Sequence, residues 1–145
     1  MKRLFSLLLL GILILPVMSF TTSKANLLQI ADILKEIESN NNPEAVGDGG
    51  LAFGVLQIHE ACIMDVNRYY GTNYTHRDAK NPIIAEDIFV KYISLGIKLY
   101  KLKCGTNPSE FQIVRMWNGG YHSGYKYNST LKYLAKYKRY KLENS

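Results

Sequence analysis

Leu27, Ile30, Leu34 and Ile37 recur at spacings of three and four, with Ala31 and Ile33 beside them. That spacing puts the apolar side chains on one face and predicts a helix from Leu27 to Glu38. The pattern then stops. Residues 39–52 read SNNNPEAVGDGGLA, a run of Asn, Asp, Gly and Pro that favours turns over helix and predicts a loop or short hairpin. Helical spacing resumes near Gln57, continues through Ile58, Ala61, Cys62, Val66 and Tyr69, and meets a stop signal at Gly71. Asn81-Pro82 supplies a cap and a first-turn proline for a third helix carrying Ile84, Ile88, Tyr92, Leu95 and Leu99 toward Cys104-Gly105. Asn107-Pro108 repeats that signal before a short fourth helix with Phe111, Val114, Met116 and Trp117, which Gly119-Gly120 ends. After a loop rich in glycine and tyrosine, Asn128 or Ser129 caps a last helix containing Leu131, Leu134, Ala135 and Leu142. With no internal repeat and no linker, the chain reads as one mainly α-helical domain with a single irregular region.

The beginning of the chain follows a different rule. Lys2 and Arg3 precede an apolar run from Leu4 to Val17, interrupted only by Ser6, Gly11 and Pro16, and small and polar residues follow up to Ala25. A short charged start, an apolar stretch below the ~20 residues that span a bilayer, and small residues after it match a secretory signal peptide. The expectation is a signal segment over residues 1–25, cleaved after Ala25 or after Ser19, with the first favoured, and a domain over 26–145. An uncleaved N-terminal anchor is the alternative.

The chain has 145 residues, 47% apolar and 21% charged, which excludes low-complexity and disordered classes and bounds the search to one compact core and one site. Its formal net charge is +6, and the charge is uneven. From Arg115 onward Lys126, Lys132, Lys136, Lys138, Arg139 and Lys141 face a single acid, Glu143, whereas acids outnumber bases between residues 26 and 114. Such an end suits an anionic cell-wall polymer or lipid surface better than nucleic acid, for which no recognition motif is present; a solvated helix face is the plainer alternative. Cys62 and Cys104 allow a disulfide in an oxidising compartment or two free thiols. Neither they nor His59, His76 and His122 stand at metal-ligand spacing, so no metal and no cofactor is expected.

Glu38 falls in the last turn of the first helix. Partial negative charge at a helix C-terminus and desolvation by Leu34 and Ile37 both favour its protonated form. A carboxylic acid kept protonated near neutral pH is what a general acid needs to protonate a departing glycosidic oxygen. The text after it sharpens this. ESNNNPEAVGDGGLAFGVLQI, residues 38–58, resembles the lysozyme-like superfamily of muramidases and lytic transglycosylases. In that family a glutamate closes a helix, a loop or small hairpin follows, and a G-x-x-Q-I-like segment opens the next helix; here Gly54-Val55-Leu56-Gln57-Ile58 takes that place. GDGGLAFGVLQI is most similar to goose-type lysozymes. Met116-Trp117-Asn118-Gly119-Gly120 is similar to the Tyr-Asn-Ala-Gly motif of transglycosylase-like domains, with Trp117 in place of tyrosine and Gly120 in place of alanine. Thr130-Leu131-Lys132-Tyr133-Leu134 is similar to their closing Thr-x-x-Tyr-Val pattern.

The resemblance covers about Leu27 to Tyr140 and implies an α+β, mainly α-helical lysozyme-like fold with a small hairpin or loop after the catalytic helix. It implies Glu38 as general acid and base, Asn118 lining a sugar cleft, and Tyr133 aiming its hydroxyl at the catalytic carboxyl. The residues add their own reading. Trp117, Tyr121, Tyr125 and Tyr127 offer aromatic faces to sugars around Asn118, Gly54 would admit close backbone approach, and Gln57 either holds the loop or binds substrate. Asp48 is either a second acid that orients water or a turn residue before Gly49-Gly50 that bonds its own backbone.

The expected function is a secreted, monomeric enzyme, periplasmic or extracellular, that cuts the β-1,4 bond between N-acetylmuramic acid and N-acetylglucosamine in peptidoglycan. The favoured form is a lytic transglycosylase, in which the substrate's own C6 hydroxyl attacks; the alternative is a hydrolase using Asp48. Two readings from other classes are a non-catalytic glycan-binding protein and a cationic membrane-active protein. Asn73-Tyr74-Thr75 and Asn128-Ser129-Thr130 match the glycosylation triplet and matter only in a eukaryotic secretory route.

Overall fold

The structure, a computed structural model, describes residues 22–124 and 128–144. Within them the chain is mainly helical, with five α-helices and one small three-stranded antiparallel sheet. The signal segment expected over residues 1–25 lies outside the described residues except for its last four, as do Tyr125, Lys126 and Tyr127.

Helix α1 spans Lys24–Ser39. Its start is three residues earlier than the apolar spacing alone predicts, because Ser23 caps it by accepting a hydrogen bond from the Asn26 N–H at 3.2 Å. Leu27, Ile30, Ala31, Leu34 and Ile37 are all buried, as the stripe requires. Asn40 and Asn41 adopt left-handed conformations with φ of 51° and 58°, and stop the helix within two residues of Glu38. Lys35 ties α1 to the centre of the molecule through a 2.7 Å contact to Glu86 and pairs with Asp32 one turn back on its own helix at the same distance.

The turn-rich segment builds more than a hairpin. Strands β1 (Val46–Gly47), β2 (Ala52–Phe53) and β3 (Ile58–His59) pair antiparallel in that order, with Gly47, Ala52 and His59 in one row and Val46, Phe53 and Ile58 in the next. This corrects the expectation that Gln57 and Ile58 open the second helix. Gly54 at φ 75° and Gln57 at φ 48° turn the chain between β2 and β3. The Gln57 side chain then locks that turn by donating to the Gly54 carbonyl at 2.9 Å. Ile58 is buried, and one inward apolar residue fits a strand as well as a helix. Helix α2 therefore spans Glu60–Tyr70 and ends, as expected, at Gly71 in a left-handed conformation.

Helix α3, Pro82–Cys104, starts on Asn81, whose side chain accepts from the N–H groups of Ile83 and Ile84. Helix α4, Glu110–Gly119, is capped by Ser109 and not by Asn107: Ser109 and Gln112 form a reciprocal capping box. Helix α5, Leu131–Glu143, begins after a buried Thr130, and neither Asn128 nor Ser129 caps it. The Thr130 hydroxyl instead accepts from Arg115 Nε at 2.9 Å, which pins the start of α5 to α4.

The core centres on α3, whose Ala85, Ile88, Phe89 and Ile93 are fully enclosed against α1, α2 and α4. Each such leucine, isoleucine or phenylalanine contributes ~1.5–3 kcal/mol by leaving water. Cys62 and Cys104 are free thiols, the first half-buried on α2 and the second exposed at the end of α3. Among the described residues no helix is long and apolar enough to cross a membrane.

Candidate active site

The end of α1, the sheet, α2 and the end of α4 enclose a cleft of about 280 Å³ lined by Glu38, Asp48, Gln57, His59, Trp117 and Asn118, with Cys62 and Tyr92 beside them. Five residues expected at the site from sequence thus meet in one place, although they span 80 positions of the chain. A second hollow of about 320 Å³ lies between α1, α4 and α5 around Ile30, Ile113 and Tyr137. Its one carboxylate, Glu110, is occupied by the Tyr137 hydroxyl and Lys141, so it offers no free acid.

One contact holds the Glu38 side chain and two fix the helix end that carries it. Tyr133 on α5 donates its hydroxyl to Glu38 Oε1 at 2.5 Å, the contact expected from its position in the closing motif. Ser39 donates to the Val55 carbonyl at 2.9 Å and fastens the end of α1 to the β2–β3 turn. Lys136 donates to the Ile37 carbonyl at 2.8 Å, satisfying a carbonyl at the helix end. Burial pushes the Glu38 carboxyl above its ordinary value; Tyr133, Lys136 and Trp117 pull against that shift and the nearby charge of Asp48 adds to it. The net effect is a carboxyl biased to keep its proton, with a hydroxyl partner that donates to the carboxylate when the proton leaves. Burial and the facing carboxylate push the Tyr133 phenol well above its ordinary value, so Tyr133 stays a donor.

Trp117 is half-buried and fixed by edge-on contacts with Phe89, centroids 5.0 Å apart, and with Tyr92 at 6.0 Å. Asn118, one residue on, is exposed along the cleft. The turn that follows is set by Gly119, where a Cβ would collide with Ser123 and Thr130, and by Ser123 donating to the Gly119 carbonyl at 2.6 Å. These contacts fix the end of α4 and aim Asn118 outward.

Three expected site residues have other duties. Gly54 is glycine because its positive φ and the Ala79 carbonyl leave no room for a Cβ, so its close approach is to the segment before α3 and not to a sugar. Gln57 lines the cleft, but its amide also closes its own turn and its Oε1 fills the space above Gly47. Tyr121 does not line the cleft; it stacks on Tyr92 at 4.4 Å and packs on Gly96, supporting the floor from behind.

Asp48 lies in the turn after β1 with φ 48°. Its side chain does not bond its own turn but reaches His59 Nε2 at 2.8 Å, and both groups are open to solvent. The pairing depends on a strand register that two-residue strands do not advertise. Tyr92 and Cys62 were equally illegible as cleft residues: both sit at helical core spacing. His76 is structural, stacked on Phe53 at 4.1 Å and bonded to the Ile58 carbonyl. Among the described residues no group of His, Cys, Asp and Glu could hold a metal ion.

In comparisons with known proteins no family model, no curated protein and no solved structure matches this chain.

Proposed function

We propose that the protein is a secreted peptidoglycan-cleaving enzyme of lysozyme-like fold, with Glu38 as its general acid and base. One observation carries this reading: a glutamate with a raised proton affinity sits in an open cleft, gripped by a tyrosine hydroxyl at 2.5 Å from the far end of the chain. A surface glutamate needs neither burial nor such a partner, and their combination is what proton transfer to a leaving group requires. Trp117 supplies an aromatic wall and Asn118 an exposed amide, the two kinds of contact a glycan strand uses.

In the favoured reaction, Glu38 gives its proton to the glycosidic oxygen as the C1–O4 bond breaks and the electron pair leaves with that oxygen. Glu38, now a carboxylate stabilised by Tyr133, takes the proton of the muramic C6 hydroxyl as its oxygen bonds to C1. This is the lytic transglycosylase reaction. Asp48 opening into the same cleft favours a second reading, in which water replaces the C6 hydroxyl and the product is a reducing end.

The test is mass spectrometry of fragments released from purified peptidoglycan, with Glu38→Gln alongside. The expected result is release of disaccharide–peptide fragments by the parent protein and a loss of about 100-fold or more in the variant, the scale on which a general acid acts. Equal release by Glu38→Gln would overturn the assignment.

A further inference from the structure

The closing turn of α1 leaves one carbonyl behind. Its last backbone bonds run from the Asn40 N–H to the Glu36 carbonyl at 3.0 Å and from the Asn41 N–H to the Lys35 carbonyl at 3.2 Å, and so pass over the Ile37 carbonyl. Lys136 reaches that carbonyl from α5 and donates to it at 2.8 Å, across 99 positions of the chain. Tyr133 stands one turn before Lys136 on the same helix face and donates to Glu38 itself. One stripe of α5 therefore meets two successive residues of α1, an ammonium at the Ile37 carbonyl and a hydroxyl at the Glu38 carboxyl. Both contacts fall at the end of α1 where the helix dipole is negative. Helix α5 is anchored elsewhere by Thr130 on Arg115 and by Tyr137 and Lys141 on Glu110, so bonds that do not involve Glu38 aim the stripe.

We infer that Lys136 is a positioning residue for Glu38: it fixes the backbone that carries the carboxyl and supplies the positive charge against which Glu38 becomes a carboxylate. The inference rests on the acid–base reading of Glu38. In that reading the carboxyl gives its proton to the glycosidic oxygen and stays negative until it takes the next one, at a helix end whose dipole opposes that charge. Tyr133 offers the anion a hydrogen bond, and Lys136 offsets the dipole one residue away. The other groups around Glu38 do not take this part. Asp48 is an acid whose charge works the other way, and His59 is engaged with it. Burial pushes the Cys62 thiol and the Tyr92 phenol up, so both stay neutral, and Trp117 carries no charge. On its far side Lys136 borders a hollow of about 150 Å³ with Glu36, Arg139, Tyr140 and Glu143, so its own surroundings hold two acids and one further base.

Turnover against pH tests this on short soluble glycan strands prepared from peptidoglycan. The proteins are the parent, Lys136→Met, Lys136→Arg, Glu38→Gln and, as a control for charge alone, a methionine variant of the exposed Lys132 on the same helix, Lys132→Met. Lys136→Met keeps the aliphatic stem and deletes the ammonium. Its kcat is expected to fall about tenfold with KM within about twofold, since Lys136 does not line the cleft. Its alkaline limb should move upward, because a carboxyl that has lost a neighbouring cation keeps its proton to higher pH. Lys136→Arg retains charge and donors and should recover both, and Lys132→Met should match the parent. Partial unfolding scales the whole profile down without moving its limb, so the limb separates positioning from a merely structural role. An unmoved limb in Lys136→Met, whatever its kcat, overturns the inference and leaves the Glu38 reading standing. A limb that moves as far in Lys132→Met does the same, assigning the effect to charge at a distance. No turnover by the parent, or equal turnover by Glu38→Gln, overturns both.

Discussion

Glu38 and Tyr133 form a unit whose two members answer different questions. Desolvation holds the Glu38 proton, while the Tyr133 hydroxyl stabilises the anion once the proton has gone. Tyr133→Phe keeps the burial and deletes the hydrogen bond that lowers the carboxyl pKa, so that pKa should rise further. The protonated acid then persists to higher pH. The alkaline limb of the rate profile is expected to move upward, while maximal turnover falls roughly tenfold because the developing carboxylate has lost its donor. A profile that keeps its alkaline limb would show that the hydroxyl does not act on Glu38. The same raised pKa has a consequence for stability. A carboxyl that holds its proton more tightly when folded than when unfolded makes the folded state less stable as pH climbs from the ordinary carboxylate range to the raised value. Glu38→Gln removes that slope and keeps an oxygen to accept from Tyr133. Its melting temperature should exceed that of the parent at pH 7, and the gap should close below about pH 4, where both groups are neutral; thermal scans at the two pH values measure it.

Elements were legible where one signal dominated and obscure where two competed. The apolar stripe of α1 and the Asn81-Pro82 start of α3 are local patterns; α3 stands where its signal puts it, and α1 contains its stripe but starts three residues before it. The sheet is different. Strands of two residues carry no alternation, so Ile58 and Gln57 fitted a helical spacing equally well, and only the positive φ of Gly54 and Gln57 separates the outcomes. The start of α4 follows a side chain that reaches the backbone: Ser109 displaces Asn107 because Gln112 completes a capping box. The candidate site divides on the same line. Glu38, Asn118 and Tyr133 were visible as motif positions, whereas the Asp48–His59 contact needs the register of all three strands. Gly54 links these scales, since the loop it shapes carries both Gln57 and the Val55 carbonyl that anchors Ser39. Gly54→Ala would put a methyl group into the Ala79 carbonyl and force a positive φ on alanine. The expected cost is about 2–4 kcal/mol, the sum of backbone strain and overpacking, read as a drop in the urea midpoint. Cleavage should fall with it even where the fold persists, because the anchor of α1 shifts.

On the scale of the whole molecule, three of the lysines on α5 are engaged with the rest of the protein. Lys136 is bonded to the end of α1, Lys141 to Glu110 at 2.6 Å, and Lys138 lies 4.4 Å over the Phe111 ring, while Tyr137 is buried in the core. The helix is thus tied down by its own cations, and peeling it off to lie in a lipid interface would break each of these contacts. Its charges nevertheless remain near the surface and act through their field. A long-range attraction to an anionic wall weakens as the Debye length shrinks from about 10 Å at 0.1 M salt to about 3 Å at 1 M. On the proposed reading, cleavage of a short soluble glycan fragment would depend on the cleft and escape most of that screening. Binding to sedimented cell walls should therefore fall several-fold across this salt range, while turnover of the soluble fragment changes less than twofold. Anionic liposomes should not leak at protein concentrations that digest walls. Leakage that matches or precedes wall digestion, and survives Glu38→Gln, would move the activity from the cleft to α5; salt-sensitive wall binding without leakage assigns the cations to approach and the chemistry to Glu38.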